Sequence, residues 1–293
     1  MALHPSGCIS ECEGSRRGSL HIPVCANRLR ILGRCGLDAS ATGGEGSFAL
    51  EPAQILVSIR NITRTIVFDL DGTLVDTAPD LISTLNLVMA GEGLPPVPYD
   101  DARRMIGGGS RRMIERALTA QGRTVSSAEL DRVFAIFIDH CSAHIADRSR
   151  PYPQLESVLQ RLAGEGFRFA VCTNKLEWLS RRLLDTLNLN RYFAAICGQD
   201  TFGIQKPDPQ MLRLTIRRAG GDVQHAIMIG DSLTDVRTAR AANVPVITVD
   251  FGYSEVVPVA LKADRLISSF TELPHAIAAV GTPAAPVAGG NPP

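Results

Sequence analysis

Residues 65–77 read TIVFDLDGTLVDT, and the rest of the chain is organised around them. Ile66, Val67 and Phe68 form a short apolar, β-prone run of the kind that fills a buried parallel strand. Asp69 and Asp71 follow two residues apart. Strand side chains alternate faces, so positions i and i+2 project the same way while the strand lasts. Gly72 and Thr73 break the strand and leave both acids at its carboxyl end, the edge where open α/β sheets bind ligands. Two carboxylates about 4 Å apart repel by roughly 1–4 kcal/mol, depending on the local dielectric. A fold tolerates that when a cation lies between them or when one carboxyl is protonated. An oxygen-only pair suits a hard ion such as Mg²⁺. The competing reading is an exposed acidic turn with Gly72 at its corner.

Outward from this stretch the chain changes character twice. On its amino-terminal side, residues 1–60 carry Gly, Ser, Arg and Cys without period, as in GCISECEGSRRGS, and are expected to be a disordered or loosely attached extension. A start codon assigned too far upstream explains it equally well. The charged and apolar regions are in the wrong order for a signal peptide, and Glu11, Glu13 and Asp38 argue against a transit peptide. Cys8, Cys12, His4 and His21 match no standard zinc spacing. Seven cysteines with no paired framework point to a reducing, cytoplasmic setting. Thirty basic residues balance thirty acidic ones, so nothing favours a nucleic acid or an anionic membrane as partner. No apolar run approaches the roughly 20 residues that span a bilayer.

On the carboxyl side, residues 78–150 read as helices alone. Pro79 opens the first, with Leu81, Leu85, Val88 and Met89 as its apolar stripe. Asp100 is expected to cap a second. Gly107-Gly108-Gly109 interrupts before Arg111, and Ser127 begins a long helix. From Pro151 strands and helices alternate: FRFAVCT, FAAICG, HAIMIGD and VPVITVD are each preceded by a helical segment, and ADRLISS and a last helix near Leu273 close the set. That alternation implies a parallel sheet covered on both faces, with right-handed crossovers. Residues 281–293, TPAAPVAGGNPP and its neighbour, are a Pro/Gly/Ala-rich tail expected to be disordered.

More polar residues fall beside these strands. Thr173 and Asn174 end FRFAVCT, Lys206 precedes Pro207, and Asp231 ends AIMIG with Ser232 and Asp235 behind it. Taken singly, they read as helix caps or a solvated surface lysine. Taken together, three acids, a lysine and a hydroxyl at one sheet edge make a site for a dianion and a divalent cation.

Asp69-Leu70-Asp71-Gly72-Thr73, Thr173, Lys206-Pro207 and Gly230-Asp231-Ser232-x-x-Asp235 resemble, in order and spacing, the four motifs of the haloacid dehalogenase-like (HAD) hydrolases, over about residues 62–273. Within that superfamily VFDLDGTLVDTAPDL, IGGG, CTNK, KPDP and FGYSE are similar to the phosphoglycolate phosphatases. The resemblance implies a Rossmann-like α/β core (61–77 and 151–280) with an inserted α-helical cap (78–150). It implies an Mg²⁺-dependent phosphatase acting on a small phosphorylated metabolite such as 2-phosphoglycolate, as a monomer or homodimer. Asp69 would be the nucleophile and Asp71 the general acid/base. Asp69, Asp231 and the backbone carbonyl of Asp71 would hold the metal, with Asp235 behind them. Thr173, Asn174 and Lys206 would bind phosphate. The cap would select the substrate, with Gly108 and Arg111 or Arg112 as candidates; related sequences often carry a side-chain donor where this chain has Gly108. The alternatives are a phosphomutase of the same superfamily, a phosphatase or pyrophosphatase for another small metabolite, and a phospho-acceptor signalling module.

Overall fold

A computed structural model of the chain describes residues 64–280. The expectations for residues 1–60 and 281–293, and the Cys8, Cys12, His4 and His21 set, lie outside the described residues. Strand β1 (Thr65–Phe68) leads to a short strand β2 (Val75–Asp76) and then to four helices: α1 (Ala78–Gly91), α2 (Tyr99–Arg104), α3 (Ser110–Ala120) and α4 (Ser127–Ala143). Strand β3 (Arg150–Pro151) returns the chain. The alternating part follows as α5 (Leu155–Gly164), β4 (Arg168–Cys172), α6 (Glu177–Thr186), β5 (Phe193–Cys197), α7 (Pro209–Arg218), β6 (Ala226–Gly230), α8 (Leu233–Ala242), β7 (Val246–Val249), β8 (Arg265–Ile267) and α9 (Leu273–Val280).

The main sheet has the order β5-β4-β1-β6-β7-β8, and every pairing in it is parallel. Its alternation is legible along β1. Ile66 and Phe68 pack on one face with Leu155, Leu159, Phe169 and Phe270, while Val67 packs on the other with Met211, Ile216, Met228 and Val246. With β1 central and connections leaving on both sides of it, the carboxyl ends of β4, β1 and β6 border the crevice where strand order reverses.

The inserted helices have an apolar core of their own, in which Leu81, Leu85, Met89, Ile114, Leu118 and Phe137 are buried together. Two details differ from the sequence reading. The insertion is not purely helical: β2 and β3 pair antiparallel, Val75 with Pro151 and Asp76 with Arg150, so a two-stranded ribbon forms the stem of the cap. Two-residue strands carry no period that a sequence can display. Asp100 does not cap α2 either; Pro98 precedes the helix and Asp100 lies in its first turn. The stem is clasped by Asp80 of α1, whose carboxylate accepts from Arg148 N, Ser149 N and the Ser149 hydroxyl. Burial alone would raise the pKa of Asp80, but these donors outweigh it and lower it.

Candidate active site

The acid pair after β1 is not an exposed turn. Asp69 is buried; the Asp71 side chain keeps 16% of its surface. Asp69 Oδ1 accepts from Leu70 N at 2.7 Å and lies 2.9 Å from Lys206 Nζ. Asp69 Oδ2 has no hydrogen-bond partner among the described residues. The Asp71 carboxylate accepts from the Thr77 hydroxyl at 2.8 Å and from Lys175 Nζ at 3.1 Å. Thr77 stands at the N-cap of α1 but directs its hydroxyl to Asp71 instead of capping the helix.

The three bland readings fail on geometry. Ser232, not Asp231, caps α8, in a box with Asp235. Leu176 precedes α6, so Thr173 and Asn174 cap nothing. Lys206 is no surface lysine: its side chain keeps 1% of its surface. Lys206 also comes from farther away than a strand end, in the loop between β5 and α7. Asn174 brings it back, receiving Lys206 N at 2.8 Å and donating to Lys206 O at 3.1 Å. Lys206 Nζ then bridges Asp69 and Asp235, the latter at 2.6 Å.

Asp231 is fixed by the Thr73 hydroxyl on Oδ1 at 2.9 Å and by Tyr253 N on Oδ2 at 2.7 Å. Carboxylate oxygens of Asp69, Asp231 and Asp235 lie within 4.8 Å of one another. Three buried acids face the single ammonium of Lys206. Burial, with Asp235 and Asp231 adding repulsion, pushes Asp69 up to about 8 against the pull of Lys206. Burial and Asp235 push Asp231 up to about 7. The same carboxylates hold the Lys206 ammonium above its ordinary range against its burial, with Asp235 the larger influence. A divalent cation suits this excess of negative charge and this all-oxygen donor set.

Asp235 turns one oxygen to Lys206 and the other to Ser232, which suits a supporting position behind Asp69 and Asp231. The carboxylate of Asp71 stands outside this acidic group, committed to Lys175 and Thr77. A contribution from Asp71 to an ion therefore rests on its backbone carbonyl.

Asp69, Asp71, Thr173, Asn174 and Lys175 share a cavity of about 20 Å³ with Leu81, Ile106, Gly107, Gly109, Ser110 and Met113 of the cap. Gly109 requires glycine twice over: its φ is +88°, and a Cβ there would sit 3.2 Å from the Asn174 carbonyl. The cap residues expected from sequence lie elsewhere. Arg111 turns to Asp131 and the Ser127 hydroxyl on the cap surface. Gly108 lies under the Arg112 side chain in a neighbouring cleft that Arg116, Arg237 and Glu255 also line. Ser110 takes the position facing the cavity.

The chain is similar to known proteins in sequence and in fold. Residues 66–249 match the family model described as haloacid dehalogenase-like hydrolase. This chain belongs to that family. Its members among curated proteins include a phosphoglycolate phosphatase of Mesorhizobium japonicum, 49% identical over 71% of this chain and 92% of the relative. The phosphoglycolate phosphatase of Agrobacterium fabrum is 47% identical over 74% of this chain and 94% of its own length. A crystal structure of a predicted phosphoglycolate phosphatase from Haemophilus somnus superposes with a TM-score of 0.68 at 24% identity, covering 74% of this chain and 98% of the other, which shows the shared HAD fold. This HAD hydrolase is a phosphoric monoester hydrolase of the kind those relatives represent.

Sequence reasoning missed Lys175, Thr77, Thr73 and Tyr253 as members of the site. The first three stand inside or beside the motifs and had a legible signal in their proximity to them. Tyr253 lies 22 residues from Asp231, and its signal was its place in the FGYSE stretch, which says nothing of the Asp231 contact.

Proposed function

We propose that this hydrolase is an Mg²⁺-dependent phosphatase that cleaves 2-phosphoglycolate to glycolate and phosphate through an aspartyl-phosphate. The observation that carries the reading is the convergence of Asp69, Lys206 and Asp231 from three separate segments, next to a cavity that Asp69 and Asp71 line. The curated relatives' names supply the substrate.

Asp69 attacks phosphorus with Oδ2, the oxygen that its neighbours leave free. Lys206 neutralises Asp69 and the incoming phosphoryl oxygens. Thr173 and the backbone after it cradle those oxygens, and Asn174 holds Lys206 in place. Asp71 donates a proton to the leaving alkoxide and then takes one from the water that opens the intermediate; Thr77 and Lys175 keep its carboxylate aimed. Bound between Asp69 and Asp231, Mg²⁺ would offset the repulsion between the phosphate dianion and the carboxylates.

The cap completes the pocket. A cavity of about 20 Å³ has room for one or two waters, not for a phosphate ester. The division into a core (61–77 and 151–280) and a cap (78–150) is part of this proposal: the cap swings on the β2/β3 stem to admit substrate and closes to exclude water. Leu81, Ile106 and Met113 suit a two-carbon body. Gly109 and Ser110, which line the cavity at the amino end of α3, would receive the substrate's carboxylate there.

The test is phosphate release with Mg²⁺ from 2-phosphoglycolate, pyrophosphate, nucleoside monophosphates and hexose phosphates, with p-nitrophenyl phosphate as a general reporter. The proposal expects the highest kcat/KM on 2-phosphoglycolate. Isomerised hexose phosphate without release would mean a mutase. One stoichiometric phosphorylation without turnover would mean a signalling module.

A further inference from the structure

One core loop reaches both the Asp231 carboxylate and the cap. It follows β7 and runs from Phe251 to Glu255. At its centre Tyr253 is 3% exposed, although its ring belongs to the cap's apolar cluster and not to the core's. Its backbone N–H donates to Asp231 Oδ2 at 2.7 Å. Its hydroxyl donates to Asp76 Oδ1 at 2.5 Å and accepts from Ala78 N at 2.9 Å. Asp76 ends strand β2 and Ala78 begins α1, so this hydroxyl is tied to the outgoing half of the stem.

The loop's other contacts also reach the cap. Arg103 of α2 donates to Phe251 O at 3.0 Å and Gly252 O at 2.9 Å, and its guanidinium lies 5.2 Å from the centre of the Tyr253 ring. Arg116 of α3 pairs with Glu255. At the other end the fit around Asp231 has no slack. A Cβ on Gly252 would lie 2.2 Å from Asp231 Cβ, and one on Gly72 would lie 2.5 Å from Asp231 Oδ2 and 2.8 Å from Tyr253 Cδ2.

We infer that Tyr253 is a positioning residue that couples occupation of the Asp231 carboxylate by a divalent cation to the set of the cap stem. The inference rests on the phosphatase reading with its cation between Asp69 and Asp231. An ion that fixes the Asp231 carboxylate fixes the amide bonded to it. The phenol is rigid and two bonds of rotation from that amide, so its hydroxyl is fixed too. Asp76 and Ala78 then hold one orientation, and the cap rests where Ser110 and Met113 line the cavity. Without the ion, the Asp231 carboxylate loses that anchor, and this chain of contacts loosens at its charged end. The cap therefore closes readily only over a loaded site, which spares substrate from being trapped where no reaction follows.

The experiment is amide hydrogen exchange on the full chain with and without Mg²⁺, no substrate present. In the wild type, Mg²⁺ is expected to slow exchange both around Asp231 and along residues 75–80, the latter by about tenfold. Tyr253→Phe keeps the ring but removes both hydroxyl bonds. It should retain the slowing around Asp231 and lose that at the stem. Asp76→Asn keeps an acceptor for the hydroxyl and should behave as wild type, whereas Asp76→Ala should behave as Tyr253→Phe. In steady state, Tyr253→Phe should lower kcat/KM about tenfold, the size of one or two net hydrogen bonds. Slowing around Asp231 without slowing at the stem of the wild type would overturn the coupling, as would stem slowing that survives in Tyr253→Phe. Mg²⁺-dependent turnover of p-nitrophenyl phosphate by the wild type separates the two levels. If turnover is absent, the phosphatase reading fails; if it is present while the stem is indifferent to Mg²⁺, only the coupling fails.

Discussion

Two buried lysines divide the labour at Asp69 and Asp71. Lys206 holds Asp69 and Asp235, and Lys175 holds Asp71. Burial by itself would favour neutral Lys175, yet the charge of Asp71 reverses this and keeps the ammonium above its ordinary range. Asp69→Asn removes the attacking oxygen's charge at constant size. It should lower phosphate release from p-nitrophenyl phosphate by at least about 10³-fold with an unchanged circular dichroism spectrum. A variant retaining a few per cent of activity would take the nucleophile's role from Asp69. Lys175→Met should lower kcat by about 10²–10⁴-fold, because an acid/base that is no longer aimed loses most of its contribution, while KM moves far less. Near-normal kcat in Lys175→Met would mean that Thr77 alone suffices to orient Asp71.

At the scale of elements, the site exists because β4, β1 and β6 are neighbours and end at one edge. The turn after β1 then has to pass close to Asp231, which arrives from β6. Gly72 makes that pass possible: its φ is +87°, and an added Cβ would meet Asp231 Oδ2 at 2.5 Å. Gly72→Ala is therefore strained in backbone and in space together. It should destabilise the protein by more than about 1 kcal/mol in urea unfolding and weaken Mg²⁺ binding at least tenfold in calorimetry. Wild-type cation affinity in that variant would show that Asp231 has more freedom than its contacts with Thr73 and Tyr253 suggest.

For the whole molecule, equal numbers of acidic and basic residues conceal an uneven interior. Asp69, Asp231 and Asp235 are gathered around one Lys206, so ionising all three in the metal-free fold would concentrate negative charge there. Asp69 at about 8 and Asp231 at about 7 both stand above the ordinary carboxylate value of 3.8. The unfolded chain sheds these protons near pH 4, whereas the fold retains them until pH 7–8. The metal-free protein therefore binds more protons folded than unfolded, and its stability falls as pH rises through that window. Mg²⁺ binds the ionised acids and must displace protons at the lower end. The rise in Tm on adding Mg²⁺ should be larger at pH 8 than at pH 6, read by scanning calorimetry. An equal or smaller rise at pH 8 would contradict the raised carboxylates. No helix among the described residues is long and apolar enough to cross a membrane.

Local chemistry made much of this legible in advance. The apolar run before Asp69, the spacing of Asp69 and Asp71, the helical stripe from Leu81 to Met89 and the later alternation of strand and helix are short-range patterns. Each reports burial or a turn within a few residues, so the sequence by itself determined the parallel sheet, the inserted helices and the set of polar strand-end residues. Tertiary structure decided what those residues touch. Lys175 and Asp71 are 104 positions apart, and Thr73 and Asp231 158. Arg111 and Arg112 read alike in sequence, but packing against Asp131 and Gly108 turned both from the cavity and left Ser110 to face it. The stem ribbon and the Tyr253 bridge likewise arise only when distant segments are brought together. Which groups become partners depends on chain crossings that no local period encodes.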